Sequence, residues 1–103
     1  MATKTYAGVN VEVNEEGYLT DPSVWTRDIA IDIAKEETIE LTEKHFAVLE
    51  FIRNKVSGGS ALTIRSVGKS GITDIKEFYQ LFPGGPLKKA SRIAGIHKPT
   101  SCV

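Results

Sequence analysis

Cysteine is almost missing from this chain: Cys102 is the only one among 103 residues. A single thiol cannot close an internal disulfide, so packing alone has to hold the fold, in agreement with a reducing compartment. Long apolar runs are missing too. No stretch approaches the ~20 residues that a bilayer span requires, and the opening MATKTYAG has no hydrophobic segment of the kind a signal peptide carries. A cytoplasmic protein without membrane association is expected. Net charge is also lacking, because thirteen Lys and Arg cancel thirteen Asp and Glu. No global field therefore draws the molecule to nucleic acid or anionic lipid. Soft metal ligands are few. His45, His97 and Cys102 share no CxxC, HxxxH or paired-carboxylate spacing, so no metal and no cofactor are expected. Repeats and low-complexity segments are likewise missing.

What is present is enough for one core. A chain of this length buries roughly two-thirds of its unfolded surface and sustains one domain, expected here over 1–103. The hydrophobic share of 41% and charged share of 25% are those of an ordinary globular protein. Charge is nevertheless uneven along the chain. From Lys55 onward eight Lys or Arg residues face only Asp74 and Glu77. A basic second half suits an acidic or anionic partner.

Periodicity predicts a mainly α (α+β) architecture. Val9, Val11 and Val13 alternate with Asn10 and Glu12, and Ala7-Gly8 and residues 14–17 supply turns, so a β-hairpin is expected within 1–20. The period then changes to that of a helical body over 21–95. Asp21 and Pro22 suit a helix start, and Trp25, Ile29 and Ile33 recur every four residues. A second helix is predicted from Thr42, with Leu41 and Phe46 spaced as a hydrophobic staple and Leu49, Ile52 and Val56 as its core stripe. Three shorter helices follow over 61–67, 73–82 and 86–94, making five. The first two of these have the spacing of a helix-turn-helix. Beyond Gly95, Pro99 biases the chain toward extended backbone, so 96–103 reads as a flexible C-terminal arm.

Candidate chemistry reduces quickly. Gly68-Lys69-Ser70 matches the end of a phosphate-loop pattern, but Thr63 stands where its first glycine belongs and a helix rather than a strand precedes it. In the helix-turn-helix, Lys76 and Gln80 share the second helix with Asp74 and Glu77, a poor set for phosphates and bases, so DNA is a minor alternative partner. His45 suits a structural role. Cys102 and His97 lie five residues apart with nothing adjacent to orient the imidazole, which argues against a self-contained cysteine enzyme. A carrier explains the thiol better. Seven residues from Ile96 to Cys102 extend the sulfur about 23 Å, far enough to enter the active sites of a donor and an acceptor. Lys98, Arg92 and a protonated His97 favour its thiolate, and the Val103 carboxylate opposes it.

The chain's last stretch, LFPGGPLKKASRIAGIHKPTSCV, closely resembles the DsrC/TusE family of sulfur-relay proteins. VNEEGYL, LTEKHFAVLEFIR and the TIR at positions 63–65 fall in the family's order, so the resemblance covers essentially the whole chain. It implies a small helical protein with an N-terminal hairpin, whose penultimate Cys102 carries sulfur as a persulfide on a mobile arm. Arg65, Lys88, Arg92 and Lys98 match basic positions of the family and would surround the arm or its docking surface. DsrC proper, the gamma-subunit partner of dissimilatory sulfite reductase, has a second cysteine eleven residues upstream, where Ser91 stands here. Its two-cysteine chemistry is thus closed to this chain. The single-cysteine pattern is similar to TusE, which implies a sulfurtransferase component acting as a carrier rather than a stand-alone enzyme. Its partners would be a TusBCD-like donor complex and a tRNA-thiolating acceptor, with sulfite reductase or a regulatory role as alternatives. His97 replaces a usual proline, Ser101 a glycine, Thr63 a proline and Phe46 a tryptophan.

Overall fold

The computed structural model describes residues 2–60 and 62–98. Strands β1 (Ala2–Tyr6) and β2 (Val9–Val13) form an antiparallel hairpin in which Tyr6 pairs with Val9 and Ala2 with Val13. Five helices follow: α1 (Arg27–Glu36), α2 (Glu43–Ser57), α3 (Ile64–Gly68), α4 (Ile75–Leu81) and α5 (Pro86–Ile93). This is the mainly α arrangement that the periodicity predicts. None of the described helices is long and apolar enough to cross a membrane.

The hairpin follows directly from its residues. Ala7 and Gly8 both have positive φ, 53° and 75°, the geometry whose twist matches that of the flanking strands. Val11 and Val13 then turn inward while Val9 stays exposed. Asp32 of α1 ties the turn to the helical body by accepting the Ala7 N–H at 2.6 Å. Ala7 carries a Cβ in a left-handed conformation that asparagine or glycine adopts at lower cost. Ala7→Asn is therefore expected to raise the unfolding free energy by about 0.5–1 kcal/mol, read as a higher urea midpoint at unchanged slope.

The start of the helical body differs from expectation. Asp21 does act as a cap, accepting Ser23 N–H, but Pro22–Val24 forms a single 3-10 turn and not the first turn of an α-helix. Trp25 then becomes extended, which frees its ring to leave the helical path, and Thr26 caps α1 anew by accepting Ile29 N–H. Trp25 thus precedes α1, and Ile29, Ala30, Ile33 and Ala34 are the residues that α1 buries. Thr42 caps α2 as predicted, and His45 completes a capping box with it.

The later helices are shorter than their patterns. Thr63 and Asp74 serve as side-chain caps, so α3 and α4 begin after them, at Ile64 and Ile75. In the glycine-rich link between the two, Gly68 ends α3 where an added Cβ would lie 2.5 Å from Ile75 Cγ1. That glycine serves close approach of α3 and α4, which accounts for the phosphate-loop-like string. The core gathers on α5: Leu87, Ala90, Ile93 and Ala94 are fully buried, and α1, α2 and α4 all pack against this helix.

Candidate functional site

The segment leading to Cys102 leaves the body from the C-terminal end of α5, and a defined device sets its direction. Gly95, at φ 72°, follows the last helical turn; its N–H donates to Arg92 O at 3.1 Å and Ile96 N–H donates to Ser91 O at 3.2 Å. This pair of bonds is a Schellman motif, in which a left-handed residue reverses the chain and closes the orphan carbonyls of the helix. Ile96 is thereby returned to the core at 3% exposure. Counted from sequence with the arm, Ile96 belongs physically to the body, and the surface begins at His97 and Lys98, both exposed.

Trp25 and Arg53 lock the same corner. The indole Nε1–H donates to Ile93 O at 2.8 Å, and the Arg53 guanidinium stacks 4.4 Å above the indole ring. Arg53 also donates to Ala94 O at 2.8 Å and to Pro22 O at 3.1 Å. The 3-10 turn, α2 and the end of α5 are thus joined through one planar cation. Sequence reading did not single out Arg53, because its partners lie 31 and 41 residues away.

Of the basic residues expected around the arm, Arg65 is exposed on α3 and Lys88 is exposed on α5. Lys98 pairs with Glu16 at 2.9 Å. Arg92 is drawn inward. Its side chain, 11% exposed, meets Glu36 and Glu37, the latter at 2.9 Å, and donates to Gly17 O at 3.2 Å. Arg92 and Lys98 therefore meet the same turn after β2, at Gly17 and Glu16, whereas Arg65 sits apart on the α3–α4 pair.

The Arg92 cluster makes stability depend on acid. Burial opposes ionisation of Glu36, but hydrogen bonds from Arg92, Tyr6 and Lys4 and the charge of Arg92 outweigh it and hold the carboxyl below its ordinary 4.5. A carboxyl whose folded pKa is depressed contributes stability above its unfolded pKa and loses that contribution as pH falls through the folded value. Below about pH 4.5 the wild-type chain is expected to lose stability with a slope that Glu36→Gln reduces, as urea melts across pH 3–6 would register. At neutral pH, Arg92→Met should cost about 2–3 kcal/mol, because Glu36 and Glu37 lose their most buried cation and keep only the more exposed Lys4 and Lys89, at 3.3 and 3.9 Å.

His45 is structural, as expected. Its Nδ1 accepts the Thr42 N–H at 3.1 Å, its Nε2 meets Leu81 O at 2.9 Å, and its ring packs edge-on against Phe82. The carbonyl of Leu81 requires a donor, so the proton is assigned to Nε2. Among the described residues no cluster of His, Cys, Asp or Glu is placed to hold a metal ion. Cys102 itself lies outside the described residues.

Residues 5–103 match the family model described as "DsrC like protein". The chain belongs to the DsrC family. A relative from Buchnera aphidicola subsp. Schizaphis graminum, named sulfurtransferase TusE, is 39% identical over 101 residues, covering 90% of this chain and 89% of that one. The NMR structure of Allochromatium vinosum DsrC is 37% identical, with a TM-score of 0.81, over 98% of this chain and 97% of that one. The crystal structure of the oxidized gamma-subunit of the dissimilatory sulfite reductase (DsrC) from Archaeoglobus fulgidus is 32% identical. It has a TM-score of 0.83 and covers 99% of this chain and 100% of that one.

Within the DsrC family framework, Ser91 has an informative environment. It stands where the resemblance sets the second thiol of two-cysteine members, on the core face of α5, and is fully buried. Its Oγ has no hydrogen-bond partner among the described residues. An orphaned buried hydroxyl costs about 1–3 kcal/mol, whereas a thiol is less polar and suits such a site better. The position has the packing of a small apolar side chain, with an oxygen where that packing asks for none.

Proposed function

We propose that this protein is a sulfur carrier of a cytoplasmic relay, and that Cys102 is the residue that carries. The observation behind this reading is that the chain's only sulfhydryl stands next to last in a sequence aligned nearly end to end with relatives named sulfurtransferase TusE. The Cys102 thiolate attacks the outer sulfur of a donor persulfide; a new S–S bond forms, and the donor cysteine leaves as its thiolate. The acceptor reverses the polarity. Its thiolate attacks the outer sulfur now on Cys102, and Cys102 departs as thiolate. No external oxidant or reductant enters either step, because sulfane sulfur keeps its oxidation level as it moves.

By analogy with TusE, the donor is a TusBCD-like complex and the acceptor a tRNA-thiolating enzyme. Arg65, Lys88 and Lys98 supply positive charge for docking, while Arg92 supports the platform. Incubation with a cysteine desulfurase, its cysteine substrate and relay partners is expected to add the mass of one sulfur atom to the intact chain. Unchanged mass under conditions that load a relative named TusE would remove the reading.

A second reading, partner of dissimilatory sulfite reductase, is favoured by likeness to the gamma-subunit structures. With one cysteine the chain could bind such an enzyme but not form an internal disulfide. Co-purification with sulfite reductase and no sulfur loading would select it.

A further inference from the structure

Of the four arginines, Arg27 and Arg65 are exposed, and Arg53 and Arg92 are partly buried. The two buried ones differ in one respect. Arg92 faces the carboxylates of Glu36 and Glu37, whereas Arg53 has no carboxylate within ion-pair distance among the described residues. Burial lowers the Arg53 pKa, and no anion offsets that loss of hydration.

Arg53 is also held still. The indole of Trp25 covers one face of the guanidinium, and the carbonyls of Ala94 and Pro22 take one proton from each terminal nitrogen. Five N–H donors in a fixed fork leave others unused. Arg53 lines a cavity of about 480 Å³ together with Pro22, Ser23, Val56, Ser57, Ile96 and His97. No acidic residue among the described residues lines it. The nearest in sequence, Asp21, accepts the Ser23 N–H at 3.0 Å and the Ser23 hydroxyl at 2.7 Å. His97 meets Lys98 O through Nδ1 at 3.0 Å, which leaves its Nε2 without a protein partner among the described residues. The cavity therefore offers a preorganised cation, an imidazole and the Ser57 hydroxyl, with apolar walls and no competing negative charge among the described residues.

We propose that this cavity is a binding site for a small oxyanion, a carboxylate or a tetrahedral oxyanion, with Arg53 as its principal ligand and His97 as an auxiliary one. The volume is that of a small-molecule site and not of a protein-docking groove. A bound anion would sit against Ile96 and His97, the root of the segment that leads to Cys102. The site stands independently of whether Cys102 carries sulfur.

The test is an NMR titration of the ¹⁵N-labelled full chain with sodium sulfate and with sodium acetate, each against sodium chloride at matched ionic strength. Sulfate or acetate is expected to move the Arg53 Nε–H and the amides of Ser23, Ser57 and His97 along saturable curves that chloride does not reproduce. Arg53→Lys keeps the charge but removes the fork and should weaken binding about tenfold. The exposed His97→Ala should weaken it about threefold, and Cys102→Ser not at all, which separates this site from sulfur loading. Equal shifts with chloride, shifts that never saturate, or full affinity in folded Arg53→Lys would each overturn the proposal. Should Arg53→Lys fail to fold, the wild-type titration decides alone: chloride-insensitive saturation centred on the Arg53 Nε–H sustains the site, and its lack refutes it.

Discussion

Cys102→Ser is expected to abolish sulfur loading completely, leaving the intact mass unchanged where the wild-type chain gains one sulfur atom. The size of the effect follows from counting nucleophiles. The chain holds one thiol, so no second sulfur can substitute for the first. A serine hydroxyl differs from a thiol by one atom, yet it is not appreciably ionised near neutral pH, and its oxygen does not form the S–S bond in which sulfane sulfur is held. Loading should therefore disappear and not merely slow. Thermal melts of the two proteins serve as the control for folding. Residual loading of the serine variant would place the sulfur elsewhere and end the assignment of Cys102.

Gly95→Ala is expected to destabilise the fold by about 3–5 kcal/mol, a large part of the roughly 5–15 kcal/mol that holds a domain together. Three costs coincide. At φ 72° any Cβ pays a left-handed penalty of about 1–2 kcal/mol. An ideal Cβ there would overlap the Trp25 ring at Cδ1 and Cγ and lie 3.0 Å from Leu19 Cδ1. Relief requires the indole to shift, which strains its bond to Ile93 O and its stacking on Arg53. Trp25 is the sole tryptophan, so its fluorescence reports the corner directly during urea unfolding. A loss below about 1 kcal/mol would show that the ring yields freely and that the corner is not rigid.

Much of this was readable because the signals are local. Alternating valines beside Ala7-Gly8 specify a hairpin within thirteen residues, and Thr42 with the apolar positions after it specifies α2, since caps and stripes act over one to four turns. The start of the helical body was not readable. Asp21-Pro22 and Thr26 are both valid helix openings, and the choice between them falls to Trp25, which must reach Ile93 sixty-eight residues away. Arg92 shows the same limit: its sequence position on α5 suggests a surface cation, but Glu36 and Glu37 return to it from fifty-six and fifty-five residues upstream. Arg53 left no local trace, because its stacking surface and both carbonyl partners come from other elements. The role proposed for Cys102 rests on chemistry and sequence position, and the residue lies outside the described part of the structure.

Seating Ile96 in the core turns the rest of the chain into a ruler with a fixed zero. From His97 to Cys102 six residues remain, a contour of about 20 Å at full stretch. Any enzyme that exchanges a group with that sulfur must accordingly keep its own reactive atom within this depth below the rim on which the globule rests. A donor or acceptor with a deeper shaft is ruled out by length alone, whatever the affinity of the two surfaces.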